Sequence, residues 1–371
     1  MFSIESLYLA AIIHGGFLVT TLLFIRRGSR ATNQMLALLV GLLTLSLWNL
    51  HTYQQGLPGY WRLIDFNDWY SIFFWGPALY FYVGMTTGLL QIKTLDLLRH
   101  FSLGITLFVI GTVLHIFSSK QWIPQFYISA LNEVQLLAFY VQMGLYLFAS
   151  FQLLNVYQRN IKDRFSSIDS MNLSWLRWLL TVFSMLIAVD MSITVPHVLR
   201  GDSSIPYLEI YVLAEAIAIF FIAYFSLIYS ESIFQKRKSK YKSSPLSEQV
   251  SVDLAENLRE IMKESQPYKN NDLKLSDLAQ LLDINTHYLS QIINEQFDKN
   301  FYDFINEYRA KHAISILLED GDNNITQIAY SVGFNNRASF NNAFKKQAGM
   351  TPSQYRRMHK SSPIKLQKGI N

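Results

Sequence analysis

Cysteine is absent from this sequence, and charged residues are scarce. The lack of cysteine excludes disulfide bonds, thiolate nucleophiles and cysteine-ligated metal sites, and it leaves the redox compartment open. Only 16% of the 371 residues are charged, whereas 50% are hydrophobic and 15% are aromatic. Soluble domains carry about 25% charged residues, so we expect a large part of this chain to lie in a lipid bilayer.

Sequence motifs of enzymes are also missing. The chain has no P-loop, no G-x-G-x-x-G, no H-E-x-x-H and no nucleophile elbow, and it has no histidine-kinase module. We therefore expect no enzymatic activity, no catalytic residue, no metal site and no cofactor. A channel or transporter with a regulatory domain stays open, whereas a retinal photoreceptor is excluded because the last long apolar run contains no lysine.

Apolar residues gather in seven runs that are each long enough to cross a bilayer as a helix. The runs are Ile4–Ile25, Met35–Tyr53, Trp69–Leu90, Phe101–Phe117, Val134–Leu154, Leu176–Val195 and Tyr207–Tyr229. Loops after the first, third and fifth runs carry eight Lys and Arg residues, against three in the loops after the second, fourth and sixth. By the positive-inside rule, residues 1–230 are predicted to form a seven-helix transmembrane, sensor-like bundle in a bacterial-type inner membrane, with its amino terminus outside.

Ionisable residues within these runs are candidates for a signal or ligand site, because a charged group facing lipid is costly. Asp190 and Glu215 lie on successive predicted spans, and His14 lies on the first. The alternative is a hydrogen-bonded pair that fixes helix packing, or a span boundary displaced by one turn.

Residues 231–249 are predicted to be a basic juxtamembrane tether, with the polar stretch QKRKSKYKSSPLS at Gln235–Ser247. Such a segment is typical of a stop-transfer sequence at the membrane surface, and it could also help to hold DNA. Its exposure leaves proteolytic release of the C-terminal domain open as well. Residues 361–371 are interpreted as a basic C-terminal tail.

Residues 250–360 show the apolar spacing of seven short helices, beginning with Val252–Glu264. Two blocks share one order of apolar residues: Leu275, Leu278, Ala279, Leu282, Ile284, Leu289, Ile293 and Phe297 in the first, then Ile325, Ile328, Ala329, Val332, Phe334, Phe340 and Phe344 in the second. Each block predicts two helices and a turn, with a small alanine where the helices cross and Gly333 in the second turn. A long amphipathic helix at about Phe301–Leu318 joins the blocks.

These features resemble the AraC-type DNA-binding domain over Val250 to Arg357. The resemblance is carried by IAYSVGF, the following SF and AFKK, and GMTPSQYRR in the second block, and by FYDFINEYR at 301–309. It implies two helix-turn-helix units on one rigid linker helix, which place two recognition helices in successive major grooves of DNA. Together with the seven apolar runs and the positive-inside rule, this predicts an all-α chain whose C-terminal domain is cytoplasmic.

Outward-facing polar residues on the two recognition helices are the predicted DNA contacts. They are His287, Ser290, Gln291 and Asn294 on the first helix, and Arg337, Asn341, Asn342, Lys345 and Lys346 on the second, which we expect to begin after the N-cap Asn336. Arginine pairs with guanine and asparagine with adenine, although phosphate contact or plain solvation is the alternative for each residue.

Charge is distributed unequally within the domain. Residues 248–322 carry 15 acids and 7 bases, whereas residues 323–371 carry no acid and 8 bases. Because DNA affinity depends on the number of phosphates neutralised, we expect one copy to bind DNA weakly and a homodimer or a second site to be needed.

The sequence therefore predicts a membrane-anchored regulator that couples an unknown small-molecule or membrane signal to promoter binding. The expected partners are double-stranded DNA, the lipid bilayer, a second copy of the chain and RNA polymerase. The alternative is a membrane receptor or scaffold whose C-terminal domain recruits protein partners instead of DNA.

Overall fold

A computed structural model describes ten segments of the chain: residues 4–25, 29–55, 71–91, 93–119, 125–169, 171–200, 215–222, 224–225, 248–319 and 324–360. Their regular structure is helical, apart from one isolated antiparallel β-bridge between Phe165 and Lys274. The chain divides into two compact units. The first comprises Met1–Tyr157 and Leu173–Lys236, and the second comprises Gln158–Asn172 and Arg237–Asn371.

The first unit is built from long apolar helices. They are α1 (Ile4–Phe24), α2 (Arg30–Gln54), α3 (Trp75–Thr86, preceded by the 3-10 turn Ile72–Phe74), α4 (Thr94–Ser119), α5 (Gln125–Lys162, whose end belongs to the second unit) and α6 (Ser174–Leu199), with further helical residues at 215–222. One face of α2 buries Leu39, Leu43 and Leu47 completely or nearly so. Large apolar side chains also point away from the packed interior, among them Phe17, which is 69% exposed. Apolar exposure of this kind suits helices that face lipid.

Four helices in the described part of this unit have the length and apolar composition needed to cross a membrane. Their apolar segments are Arg30–Asn49, Thr94–Gly111, Glu133–Lys162 and Ser174–Pro196, and two shorter apolar segments lie at Tyr8–Phe24 and Ile72–Thr86. Most of the seventh predicted run, 207–229, lies outside the described residues. The bundle of seven spans thus stays a prediction.

The described residues 248–319 and 324–360 of the second unit form seven α-helices, the number that the sequence predicts. They are α7 (Glu248–Glu264), α8 (Leu275–Leu281), α9 (Thr286–Phe297), α10 (Phe301–Glu319), α11 (Ile325–Ser331), α12 (Arg337–Ala348) and α13 (Pro352–Lys360). The pairs α8/α9 and α11/α12 are the two helix-turn-helix units, and α10 is the linker helix between them. The turn at 282–285 has one residue fewer than the turn at 332–336. Residues 231–247 of the predicted tether and the predicted tail at 361–371 lie outside the described residues, whereas residues 248–249, which were assigned to the tether, belong to α7.

Two apolar cores hold this unit together, and the linker helix belongs to both. Its amino-terminal half contributes Phe301, Phe304 and Ile305 to the core of the first helix-turn-helix unit. Its carboxyl-terminal half contributes Ala313 and Leu317 to the core of the second. Each such large side chain contributes about 1.5–3 kcal/mol on burial, so sliding either unit along α10 would expose several of them at once.

The crossing alanines and the second turn have the predicted geometry. Ala279 and Ala329 are 2% and 0% exposed, respectively, as required of small residues at close helix crossings. Gly333 has φ +101°, a conformation that side chains with a Cβ rarely adopt. The apolar spacing of the sequence therefore specified both units correctly.

Candidate nucleic-acid interface

The first recognition helix, α9, begins with a side-chain cap. The Asn285 side chain accepts a hydrogen bond from the backbone N–H of Tyr288 at 2.8 Å, which satisfies one of the free donors of the first turn. Leu289, Ile292 and Ile293 are fully buried and fix the face that packs on the core. The predicted contact residues occupy the other face: His287 and Asn294 are exposed, and Ser290 and Gln291 are half-buried.

Side chains on this face already make hydrogen bonds to their own helix. The Gln291 amide donates to the Glu295 carboxylate at 3.0 Å, and the Asn294 amide donates to the Ser290 carbonyl at 2.7 Å. Base recognition would exchange these bonds for bonds to DNA. Glu295 is exposed on the same helix and disfavours an approaching phosphate.

The second recognition helix, α12, has a predicted cap and a more basic face. The Asn336 side chain accepts from the backbone N–H of Ser339 at 2.8 Å, which confirms Asn336 as the N-cap. Phe340 and Phe344 are fully buried. On the opposite face Arg337, Asn342, Lys345 and Lys346 are exposed and Asn341 is half-buried.

One of these lysines is engaged by the linker helix. The Lys346 ammonium lies 3.0 Å from the carboxylate of Asp303, in the first turn of α10. The Lys346 side chain is 71% exposed, so the pair contributes little to stability and can give way to a phosphate.

A buried arginine at the centre of the domain was missed by the sequence reasoning. Arg309 on α10 is 1% exposed and donates hydrogen bonds to the backbone carbonyls of Tyr268 and Asn270, both at 2.7 Å. It also donates to the Asn306 side chain at 3.1 Å, and its guanidinium lies 5.7 Å from the centre of the Phe334 ring. Burial lowers the pKa of Arg309 to about 10. This residue could have been recognised in the sequence because it is a charged residue among the apolar positions of the linker helix.

Arg309 therefore connects the two helix-turn-helix units. Tyr268 and Asn270 precede the first helix-turn-helix unit along the chain, and Phe334 lies in the turn of the second helix-turn-helix unit. A methyl group added at Gly333 would overlap the Tyr268 carbonyl oxygen and lie 3.0 Å from Arg309 Nε. The distance between the recognition helices thus depends on a tightly packed polar contact as well as on the apolar cores.

The three candidate residues for a signal site in the membrane are Asp190, Glu215 and His14, and the structure describes all three. The Tyr140 hydroxyl of α5 donates to Asp190 of α6 at 2.7 Å, and the Thr194 hydroxyl donates to the same carboxylate at 2.9 Å. The ring of His14 stacks on Phe220 with centroids 4.5 Å apart, and Glu215 is 6% exposed. The Tyr140–Asp190 hydrogen bond thus joins α5 to α6.

Comparison with known proteins finds similarity in the C-terminal domain. Residues 278–358 match a family model described as "Helix-turn-helix domain". The chain is 33% identical over 91 residues to the uncharacterized HTH-type transcriptional regulator YtdP of Bacillus subtilis, a match covering 24% of this chain and 12% of that protein. It is 31% identical over 86 residues to the melibiose operon regulatory protein of Escherichia coli, covering 23% of this chain and 28% of that protein.

Among solved structures, the C-terminal domain of the two-component response regulator YesN from Fusobacterium nucleatum is 33% identical. That match covers 28% of this chain and 98% of the solved chain, with a TM-score of 0.25. The chain spans only a small part of the length of both curated relatives. The similarity accordingly concerns the C-terminal domain.

Proposed function

We propose that the whole protein is a membrane-anchored, sequence-specific DNA-binding transcription regulator, because residues 278–358 match a helix-turn-helix family model and the chain is similar to the melibiose operon regulatory protein of Escherichia coli. The observation that carries the proposal is the pair of capped recognition helices attached to one linker helix, each with an open polar face. The long apolar helices of the first unit support anchoring in a membrane.

The chemistry of the second recognition helix supports a major role in DNA binding. Arg337 and Asn342 are exposed, and Lys345 and Lys346 extend the basic face towards phosphates. Arg337 is the proposed reader of guanine, because a guanidinium donates two parallel hydrogen bonds to one base edge. The first helix offers uncharged side chains beside the acidic Glu295, so we propose that it adds sequence recognition rather than affinity.

If only the second recognition helix contributes much affinity, one copy of the domain binds DNA weakly. We propose that two protomers pair on promoter DNA, and that a small-molecule or membrane signal favours the paired arrangement. Asp190, Glu215 and His14 remain the proposed residues for that signal. Contact with RNA polymerase, a cytoplasmic membrane location and an outward amino terminus belong to the same proposal.

Genome-wide capture of DNA bound to the full-length protein in cells tests this function. We expect discrete promoter sites for the native chain and their loss in the double variant Arg337→Ala, Asn341→Ala. Lys263→Ala is the matched control, since it removes one exposed cation from α7. Promoter sites that persist in the double variant would refute the reading face.

The same experiment addresses the alternative of a protein-recruiting receptor. If native and variant chains both fail to enrich any DNA while the protein is present in the membrane, the domain does not act on promoters. Partner recruitment would then be the better account of the C-terminal domain.

A further inference from the structure

A short loop between two long apolar helices is packed into the DNA-binding unit. Helix α5 ends at Lys162 and α6 begins at Ser174, and the connecting residues up to Asn172 belong to the second compact unit. The segment Arg164–Asp169, here called the docking loop, makes the contacts that matter. Its base is closed by a hydrogen bond from the Gln158 amide to the Asn172 carbonyl at 2.7 Å.

The docking loop first binds the start of the first helix-turn-helix unit. Phe165 and Lys274 form the β-bridge, with Ser166 N–H donating to the Leu273 carbonyl at 3.2 Å and Leu275 N–H donating to the Arg164 carbonyl at 3.0 Å. Leu275 is the first residue of α8. The loop thus satisfies a backbone donor that the helix itself leaves free.

Its second contact is with the buried arginine of the linker helix. Arg309 donates from one nitrogen to the Ser166 carbonyl and from another to the Ser166 hydroxyl, both at 3.1 Å. The same hydroxyl donates to the Leu273 carbonyl at 2.7 Å, and Ser166 is 1% exposed. Withdrawal of the loop would leave two donors of a buried cation without these acceptors, which is costly.

Its third contact is with the second helix-turn-helix unit. The Asn335 amide in the turn donates to the Ser167 hydroxyl at 2.8 Å, and the Ser339 hydroxyl in the first turn of α12 donates to the Asp169 carboxylate at 2.7 Å. A carboxylate beside a helix amino terminus is favoured by the helix dipole. Arg337 and Asn342 on the reading face stay exposed beside this contact, so the docked loop is compatible with DNA binding.

We propose that the docking loop is a coupling element that fixes the orientation of the second helix-turn-helix unit relative to the first. Because α5 and α6 lead directly into it, a rearrangement of these helices reaches the recognition helices through the loop. The loop holds the domain in the arrangement that can bind DNA, and undocking loosens it. The consequence for DNA rests on the proposed function, whereas the docking itself does not.

Disulfide trapping in the full-length protein in lipid bilayers tests the docking. The chain has no native cysteine, so the pair Ser167→Cys, Asn335→Cys gives an unambiguous cross-link. We expect rapid closure with a mild oxidant. The control pair Ser167→Cys, Gln347→Cys places the second thiol about 15 Å along α12 from its first residue, Arg337, and should not close. Failure of the first pair, or equal closure of both, overturns the proposal.

Hydrogen exchange of the same full-length protein tests the coupling without DNA. Asp169→Ala should raise amide exchange in α11 and α12 about three-fold, since it removes a hydrogen bond to an exposed carboxylate. Arg164→Gln is the control, because its side chain is exposed and the contact of this residue uses the backbone carbonyl. Closing the 167–335 disulfide in the Asp169→Ala background should restore protection. Unchanged exchange in Asp169→Ala means that the loop docks without fixing the second unit, and the coupling is then wrong.

DNA footprinting of these variants separates the two proposals. We expect Asp169→Ala to weaken binding at paired sites about three-fold and the closed disulfide to recover it. If the native chain protects no DNA at all, the proposed function fails, while the cross-link and exchange results still decide whether the loop docks and orients the second unit. If native DNA binding is strong and Asp169→Ala leaves it unchanged, the loop does not control DNA binding.

Discussion

Replacing Gly333 by alanine should destabilise the second helix-turn-helix unit much more than replacing Gly349. Both glycines have a positive φ, +101° and +74° respectively. A Cβ at Gly349 meets nothing within 4 Å, whereas a Cβ at Gly333 would overlap the Tyr268 carbonyl oxygen and lie 2.9 Å from that of Lys269. The pair of variants therefore separates backbone strain from steric overlap.

The expected magnitudes follow from those two terms. Backbone strain at a positive φ costs about 1–3 kcal/mol, and both variants incur it. Forcing atoms into a filled space adds about 1–3 kcal/mol, and only Gly333→Ala incurs that. Because the overlapping atoms are backbone carbonyls, they cannot rotate away. The Tyr268 carbonyl also accepts the Arg309 hydrogen bond, so its displacement should weaken that contact too.

Native-state hydrogen exchange of the full-length protein measures this difference. The opening free energy of amides in α11 and α12 should fall by about 2–6 kcal/mol in Gly333→Ala and by about 1–3 kcal/mol in Gly349→Ala. Equal losses in the two variants would show that the close approach at Gly333 does not constrain the domain, and the reasoning would be refuted.

Two further predictions concern charged groups of the C-terminal domain. Burial and the nearby Lys269 charge lower the pKa of His312, so protonation of this side chain favours the unfolded chain. The stability of the domain should therefore decline as the pH falls below about 6.5, the ordinary pKa of histidine. His312→Gln should flatten that decline when hydrogen exchange is measured at pH 5 and pH 7.5. Asp303→Asn should free Lys346 to contact a DNA phosphate and so tighten DNA binding a few-fold at low salt. The slope of the logarithm of the binding constant against the logarithm of salt concentration should steepen by about one unit. The control Asp253→Asn on α7 should change neither quantity.

Local sequence pattern was sufficient to predict the helix-turn-helix units. Apolar spacing located the helices because each helix buries one face. The second turn is longer because the sequence has one more residue between Ala329 and Phe340 than between Ala279 and Leu289. Asn336 was predictable as a cap because a short side chain with an acceptor oxygen satisfies the first turn of a helix. Properties of this kind depend on residues within a few turns of each other.

The contacts around Arg309 and the docking loop could not be predicted in this way. Ser166 and Arg309 are 143 residues apart in the sequence. The residues around Ser166 show no pattern that indicates a contact with Arg309. The positive-inside rule places the loop after the fifth apolar run at the membrane surface because of its basic residues, and it indicates no contact with the C-terminal domain. Hydrogen bonds to backbone carbonyls carry no side-chain signature, so the residues that supply them are invisible in a single sequence.

The composition of the Arg309 contact shell explains how one loop can influence both recognition helices. Its described hydrogen-bond acceptors are the carbonyls of Tyr268, Asn270 and Ser166, the Asn306 amide and the Ser166 hydroxyl, each of them uncharged. A buried cation without a carboxylate partner in that shell is held by the sum of these bonds, so each missing acceptor leaves a donor unsatisfied. The segment before the first helix-turn-helix unit, the linker helix and the docking loop each supply acceptors. Movement of the loop therefore changes the free energy of the contact that spaces the two units, without touching the base-reading side chains.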